Sequence, residues 1–147
     1  PTGSFVFLSF GEIDCRQDEG ILAAATKSKK TIEQLVYSTV CGYLKFISQQ
    51  FLQSKCDVFV LSVPAPVIFS YGQKMLSREI SERISLVKEF NKQLRKQAVH
   101  LGYRFIDTHS FTTNKHGVSN NEFHLDGTHL APKALKKIED LIRLSYR

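Results

Sequence analysis

The densest group of reactive side chains in the chain is His124-Leu-Asp126-Gly-Thr-His129-Leu-Ala-Pro-Lys-Ala-Leu. An aspartate three residues ahead of a histidine at a helix start can fold back onto it. Its carboxylate then accepts the imidazole N–H, fixes the tautomer and raises the basicity of the ring. Such a histidine is suited to be a general base toward a hydroxyl or a water. The same spacing also fits an Asp126 that only caps the helix, beside a His129 that is an ordinary polar side chain. A second group, Gly11-Glu12-Ile13-Asp14-Cys15-Arg16, follows an apolar run. Arg16 can pair with Glu12 or Asp14 to hold that loop together. Alternatively, these groups bind a polar substrate while backbone N–H groups near Gly11 receive an oxyanion. Asp107, after a third apolar run, is expected to anchor a loop. Cys15 beside Asp14 is read as an ordinary thiol rather than a nucleophile. Asp126, His124 and His129 lack the usual ligand spacing, so no metal is expected. No glycine-rich phosphate loop is present, and no cofactor is called for.

The elements around these groups alternate. Phe5–Phe10 is a short apolar run stopped by Gly11, as in a buried parallel strand. Residues 20–30 suit a loop or short helix. Ile32, Leu35, Val36, Val40, Tyr43, Leu44, Ile47 and Phe51 form one helical stripe, with Thr31 and Gln34 spaced as a capping box. Asp57–Val63 is a second strand, ended by Pro64 and Pro66. Residues 67–79 are ambiguous, with a turn at Ser70-Tyr-Gly72. Ile80, Ile84, Val87, Leu94 and Ala98 mark another helix, stopped at Gly102. Tyr103–Asp107 reads as a third strand, 108–128 as a long polar loop, and Pro132 as the start of a last helix. The order β-α-β-α-β-α implies one domain with a parallel sheet covered by helices on its faces. Ligands of such sheets bind at the C-terminal strand edges. That edge receives Gly11–Arg16, Pro64–Gly72 and Asp107–His129.

Composition narrows the partners. With 147 residues, 42% hydrophobic and 23% charged, the chain has a globular make-up and no stretch long enough to span a membrane. No basic region ahead of an apolar run reads as a signal peptide. The three cysteines, Cys15, Cys41 and Cys56, are an odd number, so at least one has no partner within the chain, and a reducing, cytoplasmic setting is expected. The net charge of +6 is concentrated between Lys74 and Arg104, where a solvated helix face explains it. No basic motif interleaved with aromatics accompanies it, and no nucleic-acid partner is expected.

Asp126-Gly-Thr-His129-Leu before an alanine-containing amphipathic helix resembles the last motif block of the SGNH, or GDSL-like, hydrolases. The segment from Phe90-Asn91 to Gly102-Tyr-Arg-Phe-Ile-Asp107 is similar to that family's penultimate helix and strand, and Gly11-Glu-Ile-Asp14 resembles its Gly-x-Asn-Asp block. The resemblance implies a three-layer α/β/α sandwich of flavodoxin-like type, with the parallel sheet missing its N-terminal strands. It implies a serine-type ester hydrolase or acyl transferase acting on an O-acylated carbohydrate. Asp126 and His129 would be catalytic, and Gly11, Glu12, Asp14 and Arg16 would form the oxyanion and substrate pocket. Two departures stand out. Ile13 occupies the position of the family's oxyanion asparagine, and losing one such donor typically costs about two to three orders of magnitude in rate. The family's Gly-Asp-Ser nucleophile block has no counterpart: Gly3-Ser4 precedes a strand, and Ser9 lies inside one, where its side chain is expected to be packed. The chain therefore resembles the C-terminal part of a longer domain whose nucleophile lies on an N-terminal segment. The alternative is a catalytically inactive carbohydrate-binding or scaffold module.

Overall fold

The computed structural model describes residues 4–51, 56–70, 73–74 and 77–145. Strand β1 (Phe5–Ser9) is followed by a 3-10 turn (Ile13–Cys15), helices α1 (Gly20–Lys27) and α2 (Ile32–Phe51), and strand β2 (Asp57–Leu61). A short antiparallel hairpin, β3 (Phe69–Ser70) and β4 (Gln73–Lys74), leads to helix α3 (Ser77–His100). Strand β5 (Arg104–Ile106) and helices α4 (Thr108–Thr112) and α5 (Ala134–Ser145) complete the order. Tyr71 and Gly72 of the expected turn lie outside the described residues, as does Gly3.

The main sheet has three parallel strands in the order β1-β2-β5. Phe5 is paired with Asp57 and Ser9 with Leu61, while Phe59 is level with Arg104. Alternation along β2 divides the core between the faces. Val58 and Val60 join Val36, Val40 and Leu44 of α2 and Leu86, Phe90 and Leu94 of α3 on one face. Phe59 and Leu61 meet Ile106 and, from α5, Ile138, Leu141 and Ile142 on the other. The result is a three-layer α/β/α sandwich.

Local chemistry accounts for most boundaries. The Thr31 N–H donates to Gln34 Oε1 (3.0 Å) and the Gln34 N–H to Thr31 Oγ1 (3.3 Å), the reciprocal capping box expected at the start of α2. Gly102 ends α3 at φ +78°, a left-handed conformation in which a side chain is strained.

Four expectations change. Residues 108–128 are not wholly loop, because Asp107 caps a short α4 by accepting the Ser110 N–H at 3.0 Å. The last helix begins at Ala134 rather than Pro132. Ser9 is exposed, not packed: it shares a strand face with Phe5 and Phe7, which stay 55% and 49% exposed although both rings contact Phe59. Arg83, expected on a solvated face, is buried, because α3 turns it toward the carboxylate of Glu12.

Candidate active site

Three loops meet at the C-terminal edge of the sheet, and hydrogen bonds tie the loop after β2 to the segment after β5. The loop after β2 is gripped by Asn91 of α3, whose Oδ1 accepts from the Val63 N–H (2.7 Å) while its Nδ2 donates to the Val63 carbonyl (2.8 Å). Ser62, at the end of β2, bonds Thr108 side chain to side chain at 3.0 Å and accepts the His109 N–H at 2.9 Å. The Ala65 N–H donates to Thr112 Oγ1 (2.9 Å), and the Ser119 N–H donates to the Pro66 carbonyl (2.8 Å). Val63 is thereby fixed against α3, and Ala65 and Pro66 against the 107–131 segment.

That segment ends in a tight antiparallel turn. His124 bridges Leu130, the Leu125 N–H donates to the His129 carbonyl (2.8 Å), and the Ala131 N–H donates to the Phe123 carbonyl (2.7 Å). Asp126 stands at its tip and organises it. Its Oδ1 accepts the backbone N–H groups of Thr128 and His129, each at 2.8 Å, while Oδ2 meets His129 Nδ1 at 2.7 Å. The pair therefore lies on a turn ahead of α5 rather than in its first helical turn, and Asp126 caps the turn instead of the helix. The carboxyl is held far below the usual aspartate range, first by the His129 N–H, then by the imidazole and the Thr128 N–H. It thus stays ionised, the form that accepts the ring N–H. The His129 side chain is 74% exposed and Asp126 50%, so the imidazole edge opposite Nδ1 is open to an incoming group.

The glycine loop faces this turn across a narrow recess. Gly11 takes φ +96°, and a Cβ there would lie 2.4 Å from Phe90 Cε1, so only glycine lets the chain leave β1 this close to α3. Glu12 is held by Arg16, with Arg16 Nη2 to Glu12 Oε2 at 2.8 Å and Nε to the same oxygen at 3.0 Å. Asp14 turns elsewhere and accepts the Tyr43 hydroxyl at 3.1 Å. The recess is walled by Glu12, Cys15, Arg83, His124, Gly127 and Thr128 over a floor formed by the loop after β2, and its enclosed part holds about 10 Å³. His129 stands outside this wall, next to Thr128. Cys15 is buried, and desolvation, reinforced by Asp14, pushes its thiol far above the ordinary value, which makes it a poor nucleophile.

Residue spacing gave no sign of Arg83, whose partner Glu12 is remote in sequence. His124 was visible only as part of the His124–His129 cluster. It bonds Ser119 Oγ through Nδ1 at 2.8 Å, and burial lowers its pKa.

No family model and no curated protein sequence matches the chain. Solved structures do. A GDSL-like lipase from Bacteroides thetaiotaomicron superposes with a TM-score of 0.65 at 17% identity, over 97% of this chain and 61% of that one. The fold is of the GDSL-like hydrolase type. A Bacteroides fragilis protein described as an acylhydrolase is similar with a TM-score of 0.55 at 14% identity, over 99% of this chain and 61% of its own. The OSK domain of Drosophila Oskar is also similar, with a TM-score of 0.53 at 13% identity, over 99% of this chain and 62% of that domain. The chain thus spans about three fifths of the length of the GDSL-type and related structures it matches. Among the described residues no helix is long and apolar enough to cross a membrane.

Proposed function

We propose that these residues form the Asp–His half of a serine-type ester hydrolase or acyl transferase acting on an O-acylated carbohydrate. His129 is the general base: it takes a proton from a serine hydroxyl and returns it to the leaving alcohol. Asp126 holds the ring through Nδ1 and stabilises its charged form. The serine is supplied by polypeptide outside these 147 residues, a reading supported by the chain's three-fifths share of the enzymes it resembles. Backbone around Gly11 receives the oxyanion, and Arg16 locks Glu12 so that the loop keeps its shape. Asp14 serves the same loop through Tyr43. The carbohydrate half of the substrate follows from the Gly-Glu-Ile-Asp variant of the glycine block, which resembles a subgroup seen near sugar-modifying enzymes.

The observation that carries this reading is the 2.7 Å Asp126–His129 contact on an exposed turn whose Gly127 and Thr128 line the recess beside Glu12. Its test is hydrolysis of p-nitrophenyl acetate by the natural polypeptide that contains this chain. His129→Ala is expected to lower kcat by at least about a thousandfold. Equal background rates in the two proteins would leave an inactive binding module as the function.

A further inference from the structure

Arg83 is a charged side chain placed where water cannot compensate it. The residue is 6% exposed and stands in the wall of the recess. Its Nε donates to the Cys15 carbonyl at 3.2 Å, and its Nη2 lies 3.5 Å from Glu12 Oε1. That carboxylate is already engaged by Arg16 at 2.8 Å, and whereas Arg16 has a second carboxylate in Glu19 at 3.4 Å, Arg83 has, among the described residues, only the longer contact to Glu12. A buried cation needs a full partner, because desolvation is costly without one. Burial lowers the pKa of Arg83, and Glu12 only partly offsets that effect.

The acidic groups nearest the recess are engaged elsewhere. Asp14 is committed to Tyr43, and Asp126 to His129 and its own turn. Burial, opposed by the Asp126 carboxylate and reinforced by Arg83, lowers the pKa of His124 and so favours its neutral imidazole. We propose that the recess seats a carboxylate of the substrate, with the Arg83 guanidinium as its counter-ion. The enclosed 10 Å³ admits about one water-sized group, which fits a single carboxylate oxygen with the rest of the ligand outside. Glu12 in the wall disfavours a dianionic phosphoryl group more than a singly charged carboxylate, whose one charge faces Arg83. The proposal rests on the hydrolase reading in that it places a carboxylate on the ester, either on the sugar or at the far end of the acyl group.

Binding to the full chain tests it without requiring turnover. Amide resonances of the 15N-labelled protein are followed during titration with D-glucuronate against D-glucose, and with methyl hydrogen succinate against dimethyl succinate. At least one carboxylate is expected to shift Glu12, Gly127 and Thr128 saturably, with no response to its neutral counterpart. A response to glucuronate places the carboxylate on the sugar, and a response to the succinate monoester places it on the acyl group. In Arg83→Gln, with an otherwise unchanged spectrum, the affinity falls about tenfold or more. Glu12→Gln removes the competing charge and raises affinity roughly threefold, which decides the matter should Arg83→Gln not fold. Equal responses to charged and neutral partners, or unchanged affinity in either folded variant, overturn the seat. Hydrolysis is assayed separately: carboxylate binding without turnover sinks the hydrolase reading alone, and turnover without carboxylate binding sinks the seat alone.

Discussion

Asp126 divides its labour between two oxygens: Oδ1 shapes the turn through two backbone N–H groups and Oδ2 orients the His129 ring. The two tasks separate in Asp126→Asn. Its remaining carbonyl oxygen can still accept from Thr128 and His129, but the amide NH2 meets Nδ1 as a donor and enforces the tautomer that has no free base at Nε2. In the natural polypeptide kcat is therefore expected to fall roughly 10³- to 10⁴-fold while the melting curve moves little, and an unchanged kcat would mean that the pair is only structural. A pH prediction follows from the same contacts. They bind the ionised carboxylate, so the folded pKa lies below the ordinary aspartate value of about 3.9. The bonds support the turn at any pH above that ordinary value and weaken only as pH falls through the lower, folded one. The carboxyl 13C shift of Asp126 should accordingly titrate below the ordinary aspartate value.

Elements position the site through a few close approaches, of which Gly11 against α3 is the tightest. Gly11→Ala forces a Cβ to within 2.4 Å of Phe90 and 3.0 Å of Val63 at φ +96°, where neither neighbour has room to withdraw. It is expected to destabilise the protein by about 1–3 kcal/mol in chemical denaturation. Gly42→Ala, inside the exposed side of α2 with no atom within 4 Å of the new Cβ, should instead stabilise by about 0.5–1 kcal/mol. Opposite signs for the same substitution test the geometry itself. Both the element order and the Thr31–Gln34 cap were legible in the sequence, because each follows from periodicity or a three-residue spacing. What escaped it depends on distant partners. The short helix α4 exists because Ser62, just after β2, holds Thr108 and His109. Arg83 is buried because Glu12 and the Cys15 carbonyl await it. The Asp126–His129 contact could be read from spacing, but its turn could not, since the bridge of His124 to Leu130 leaves no periodic signal.

At the scale of the whole molecule, the two faces of the sheet are unequally built. Helices α2 and α3 bury Val36, Val40, Leu44, Leu86, Phe90 and Leu94 in one continuous core. Helix α5 attaches to the other face through Ile138, Leu141 and Ile142, over a buried set that among the described residues comprises Phe59, Ile106 and Ile138. Local opening follows the least buried apolar area. Amides of α5 should therefore exchange with solvent through a partial opening, while those of α3 await global unfolding. The Asp126–His129 turn just ahead of α5 does not have to follow it. The turn is closed by its own Leu125–His129 and Ala131–Phe123 hydrogen bonds, and the Phe123 ring meets Phe111 edge-on at 5.1 Å. Native-state hydrogen exchange should then show Leu125 and Ala131 better protected than the middle of α5, and Ile138→Ala should speed exchange in α5 far more than in α3. Uniform protection across α5 and α3, unaffected by that substitution, would mean that the site rides on a helix as firmly held as the rest of the core.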